Sequence, residues 1–210
     1  MSAPTTHLAV GVLFGLVGLF LLRERDGPVA SPMQVFNVLL WSAIAAAAPD
    51  LDTVIGAHRA TFTNIWVGFV LPAALASVMA TMPGARHPFF RATIPVLPAL
   101  FGSHLFFDLY GYTNRHAQVL WPFSETRYHS PQVVDIHAYG GYGWLDAGFP
   151  LFAFVLFFVA YGWGHARVGA WLREAAPEER RWAVPVFVAA ATLLALLPFA
   201  LVWWGGLLYT

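Results

Sequence analysis

The sequence has no cysteine and no lysine, and charged residues fill only 10% of its 210 positions. The missing thiols exclude disulfide frameworks and thiolate metal sites, so any bound metal must take nitrogen and oxygen ligands. Without lysine, all 11 basic residues are arginines; they balance 11 acids and form no basic run. That excludes the electrostatic footprint of a nucleic-acid binder. No polar stretch is long enough for a separate soluble domain, and there is no internal repeat. What remains is apolar: 59% of residues are hydrophobic and the mean hydropathy is +0.63. Such a balance belongs to an integral membrane protein.

Six apolar runs can cross about 30 Å of hydrocarbon. They extend roughly over His7 to Leu22, Met33 to Ala48, Ile65 to Met82, Thr93 to Tyr110, Phe149 to Trp163 and Trp182 to Leu208. The expected fold is an all-α integral membrane protein, one bundle of about six transmembrane helices over 1–210. The second run is short. The fourth carries Pro95 and Pro98, which a spanning helix tolerates where neighbours or water satisfy the freed carbonyls. "MSAPTTH" lacks arginine, and "RERDG" follows the first run, so that run reads as a retained helix rather than a secretory signal. Gly111 to Asp146 reads as a long extracytoplasmic loop, with Asp146 capping the fifth helix.

Six crossings put both termini on one side. Arg23, Arg25, Arg86, Arg91, Arg167, Arg173, Arg180 and Arg181 then fall in the first, third and fifth loops, against Arg59, Arg115 and Arg127 in the second and fourth. The positive-inside bias places the arginine-rich loops in the cytoplasm and both termini outside. "AAAAPDLDTVIGAHR", residues 45–59, therefore delivers Asp50, Asp52, His58 and Arg59 to the extracytoplasmic end. His7 enters the first helix at that end, and His104 and Asp108 leave the fourth there.

Local spacing supports convergence. His104 and Asp108 are four apart and project from one helix face. Asp50 and Asp52 flank Leu51 just past Pro49, where extended backbone would aim both the same way. Ionisable residues in a spanning helix mark function by default. Three imidazoles and three carboxylates exceed the three protein ligands of a catalytic zinc, so one or two divalent ions are expected, zinc first, with manganese or iron fitting the same donors. Two ions about 3.5 to 4 Å apart suit hydrolysis of a phosphoester. Arg59 can clamp an anionic group through its planar fork.

Read together, "THLAVG", "PDLD", "HR", His-x-x-x-Asp and "LWPFS" at 120–124, in that order, resemble the LexA-regulated, inner-membrane-bound metal-dependent hydrolases over residues 5 to 125. The resemblance implies a multi-pass inner-membrane protein whose candidate metal ligands are His7, Asp50, Asp52, His58, His104 and Asp108. Its departure lies at "HRATFTNI", where the family commonly has another histidine and this chain has Thr63 or Asn64. Asp135 and His137 in "VVDIH" are candidate replacements. His87, His116, His129 and His165 read as surface residues.

The outer aromatics, "LWPF" and "YGGYGW", suit an interfacial belt or a lid that accepts lipid chains, with Glu125 a candidate base. A phosphoester of a membrane lipid or lipid-linked compound is the expected substrate. A metal-ion or proton transporter is the alternative, although its site should lie near the midplane. A non-catalytic scaffold with a structural metal is another.

Overall fold

The structure is a computed structural model, and it describes residues 4–26, 31–54, 61–110, 117–127 and 143–208. Helix α1 spans Pro4–Asp26 and α2 spans Pro32–Ala47, followed by a 3₁₀ turn at Ala48–Thr53. A π-helical turn at Trp66–Val70 leads into α3, Leu71–Ala80. After a short 3₁₀ turn come α4 (Pro88–Thr93), a 3₁₀ turn at Ile94–Val96 and α5 (Leu97–Tyr110). Two long helices complete the chain, α6 (Gly143–Glu174) and α7 (Pro177–Leu208). By length and composition five apolar stretches can cross a membrane, and Trp66–Ala80 forms a sixth, shorter one. The protein is an all-α, multi-pass membrane bundle.

Punctuation residues set the boundaries. Ser31 opens α2 with a reciprocal capping box: Gln34 N donates to Ser31 Oγ at 3.3 Å, and Ser31 N donates to Gln34 Oε1 at 3.0 Å. Asn64 opens the third span, its Oδ1 accepting from Trp66 N and Val67 N at 3.1 and 3.0 Å. The prolines of the fourth span are absorbed by tightening: Ile94–Val96 turns 3₁₀, Pro95 sits where no intrahelical donor is required, and one apolar span still runs over Pro88–Phe107.

Three local expectations are corrected. Ala48–Thr53 is 3₁₀ rather than extended. With three residues per turn, positions two apart diverge, so backbone geometry alone does not aim Asp50 and Asp52 together. The expected fifth loop is mostly helix, because α6 continues to Glu174 and α7 restarts at Pro177, a favourable first-turn residue followed by Glu178 and Glu179. Asp146 lies inside α6, which begins at Gly143, and does not cap it.

Small residues bring the helices close, as expected where lipid leaves van der Waals packing to hold them together. A Cβ on Gly11 would lie 2.5 Å from Ser42 O, and one on Gly18 would collide with Ala92 O, so α1 rests directly on α2 and α4. The middle of the bundle is filled by Phe14, Phe69, Leu100, Leu105 and Phe158, all almost fully buried.

Candidate metal centre

Three separate segments meet at the end of the bundle where α1 begins and α5 ends. His7 lies in the first turns of α1, Asp50 in the 3₁₀ turn that continues α2, and His104 in the second half of α5. His7 and His104 are 1% and 0% exposed, while Asp50 retains partial exposure. One ligand atom from each lies within 4.8 Å of the others.

The histidines are oriented by their surroundings. His104 Nδ1 lies 3.1 Å from Ala46 O, and a carbonyl only accepts, so this nitrogen carries the proton. In the neutral ring that leaves Nε2 as the acceptor facing Asp50, whose Oδ1 is 3.4 Å away. A lone pair facing a carboxylate is repulsive unless a proton or a metal ion lies between them. Two ligands each about 2.1 Å from one ion at a tetrahedral angle stand about 3.4 Å apart, so the separation suits a shared metal. His7 stacks on His104 with ring centroids 3.9 Å apart and planes 20° apart, and Phe107 meets its edge at 6.3 Å. Stacking holds the two rings face to face. Two imidazoles and one carboxylate form an N₂O donor set appropriate to zinc, manganese or iron.

Of the expected ligands, the structure therefore brings together His7, Asp50 and His104. Asp52 belongs to the same 3₁₀ turn and Asp108 lies one turn beyond His104 on α5, but both side chains lie outside the described set. His58, Arg59, His116, His129, Asp135 and His137 lie outside the described residues. At the departure from the family pattern, Asn64 uses its side chain locally: Nδ2 donates to Thr61 O at 2.9 Å while Oδ1 caps the next turn.

Part of the long loop packs at this end. Ile65 N donates to Val119 O at 2.9 Å, and Phe123, 81% exposed, meets Trp66 edge-on at 5.4 Å. Glu125 is exposed, and its backbone oxygen accepts from Gln118 Nε2 at 3.2 Å.

Sequence reasoning misjudged His165. His87 is exposed, as expected, and caps α4 through Nδ1, which accepts from Phe89 N at 3.3 Å. His165, by contrast, is only 4% exposed. Ser77 Oγ donates its single proton to Ala73 O at 2.7 Å, so at the 3.2 Å contact His165 Nε2 must donate to Ser77. The signal was available: Tyr161 and His165 stand four apart on one helix face, and ending the fifth run at Trp163 concealed it.

No family model, no curated protein and no solved structure matches this chain.

Proposed function

We propose that this protein is a metal-dependent hydrolase of the inner membrane, acting at the extracytoplasmic face on a phosphoester of a lipid or lipid-linked substrate. The observation that carries the reading is the convergence of His7, Asp50 and His104, two of them almost wholly buried, within 4.8 Å of one another at one end of a membrane bundle. Asp52, His58 and Asp108 are proposed to complete the ligand set, and Arg59 to engage the anionic group of the substrate. The ordered motifs that resemble those of the LexA-regulated membrane hydrolases suit the same reading. A divalent ion, zinc in the first instance, would supply Lewis-acid polarisation of a phosphoryl oxygen and counter-charge for the leaving group.

The chain's own part is positional. Ala46 O holds His104 in the ligating tautomer, and the stack with His7 restrains both rings before any metal arrives. Exposed Leu51 and Val54, on or beside the turn that carries Asp50, favour a substrate with an apolar chain. Access from one side fits hydrolysis better than transport. Phe14, Phe154 and Phe158 pack against one another with centroids 4.8 to 6.2 Å apart, and Phe14 lies seven residues along α1 from His7, or about 10 Å. A polar path through the bundle would have to cross that layer.

Purified protein should release phosphate from dioctanoyl phosphatidate, lose the activity on chelation and regain it with zinc. Turnover that survives metal removal would overturn the reading. The orientation has its own test. Val54→Cys, at a position 80% exposed, should react with an impermeant maleimide in intact cells, and Gly84→Cys, in open space, only after permeabilisation. The reverse labelling would put the metal centre on the cytoplasmic side.

A further inference from the structure

The second half of α6 carries Gly162, Gly164 and Gly169, and two of the three have a packing reason. A Cβ on Gly162 would lie 2.8 Å from Leu21 Cδ1, and one on Gly169 would lie 2.8 Å from Ala80 Cβ, so these positions admit α1 and α3. A Cβ on Gly164 would meet nothing within 4 Å. Glycine inside a helix is unfavourable relative to alanine unless something approaches closely, and among the described residues nothing approaches here.

Gly164 opens onto a groove of about 370 Å³ between α6 and α7, lined almost wholly by apolar side chains. Its floor is buried, at Leu172, Ala183 and Phe187, while its rim is exposed, at Val168, Val186 and Leu194. The groove keeps to one half of the bilayer. Trp171 and Trp182 line it near the junction of α6 with α7, and tryptophan near a helix end marks the level of the lipid headgroups. Arg173 and Arg180 bond Ala80 O and Thr81 O at that same end, where α3 finishes, so the metal centre lies at the opposite end of the bundle. The inner limits are Tyr161, eleven residues from Leu172 on α6, and Leu194, twelve from Trp182 on α7, or about 17–18 Å along either helix. A hydrocarbon core of about 30 Å allots about 15 Å to each leaflet. The groove therefore matches the depth of one acyl chain, and it is little more than half as long as the contact a partner spanning helix would make.

We infer that this groove is a lipid site, separate from the metal centre, holding one acyl chain of a glycerophospholipid of the opposite leaflet, with the headgroup at the level of Trp171 and Trp182. The chain supplies the van der Waals contacts that Gly164 leaves open, and the floor side chains then have partners on both sides.

The test uses full-length, chelator-treated protein in detergent micelles, so that hydrolysis cannot consume the probe. Dioleoyl phosphatidylcholine is titrated in, and native mass spectrometry counts the lipid held by each chain. Wild type should retain one phospholipid at concentrations where further lipid is lost. Gly164→Leu places four carbons in open space and raises helix propensity, so it should fold and bind that lipid about tenfold more weakly or worse. Ala190→Leu, which narrows the groove from α7, should show the same loss. Leu40→Phe, an enlargement at an exposed position of α2 outside the groove, should remain within about twofold. The site is overturned if wild type retains no phospholipid, if both groove variants bind as wild type does, or if Leu40→Phe loses as much as they do. A wild-type dimer that either groove variant converts to monomer also overturns it, because a second copy of the chain would then be what covers the groove. None of these outcomes bears on the metal centre.

Discussion

His104→Asn is expected to purify folded and nearly metal-free, with hydrolytic activity lost. His104 combines three contacts that no other described residue combines: a 3.1 Å bond to Ala46 O, a 3.9 Å stack on His7 and a 3.4 Å approach to Asp50. Asparagine Nδ2 stands where Nδ1 does and can still donate to Ala46 O, so the tie between α5 and α2 is kept while the ligating nitrogen is removed. Altering an outer-shell partner of a metal commonly lowers affinity by about 10–100-fold, and loss of a ligand should exceed that. His104→Ala should give the same metal loss with a further loss of stability, because a buried carbonyl then has no donor from α5. His87→Ala, at an exposed position, should retain full metal content. Normal metal per chain in both His104 variants would remove this residue from the centre and reduce it to a helix tie.

Phe158→Ala should cost more stability than truncation of any smaller apolar side chain in the core, about 3–5 kcal/mol, the range for emptying a buried phenylalanine site. The side chain is 0% exposed and packs against Phe14, Phe154, Phe157 and Tyr161, with centroids 4.8 to 6.2 Å away. Helices in lipid are held by packing rather than by exclusion of water, so the cavity removes contacts that nothing replaces. Leu193→Ala provides the comparison, since Leu193 is 69% exposed on α7 and should change stability by roughly 0.5 kcal/mol or less. Unfolding in mixed detergent micelles reads both. Equal losses in the two variants would mean that the aromatic layer does not organise the bundle.

The membrane class and the six apolar spans were legible because hydrocarbon thickness imposes a length on uninterrupted apolar sequence. Breaks within spans were less legible. Pro95 and Pro98 read as a threat to the fourth span, yet a three-residue 3₁₀ segment accommodates them without ending it. The stretch after Pro49 read as extended because proline usually ends a helix, whereas a proline in the first turn of a new 3₁₀ segment needs no donor. The end of the fifth run at Trp163 followed polarity: Arg167 and Arg173 suggested a loop, but arginine is a good helix former and its long stem reaches the interface from a continuing helix. That error hid His165. The convergence of His7, Asp50 and His104 could be inferred from topology alone, since odd and even crossings assign each residue to an end. The tautomer of His104 could not, because the carbonyl that sets it belongs to Ala46, 58 positions away.

Whether His7, Asp50 and His104 hold an ion can be read from anomalous diffraction by crystals grown without added metal, recorded on both sides of the zinc edge. A peak about 2.0–2.2 Å from a ring nitrogen of His7, from His104 Nε2 and from an Asp50 carboxylate oxygen is the expected result. Protein from metal-replete cells with no peak among these three side chains, or with its metal held elsewhere in the chain, would remove the metal centre and the hydrolase reading with it.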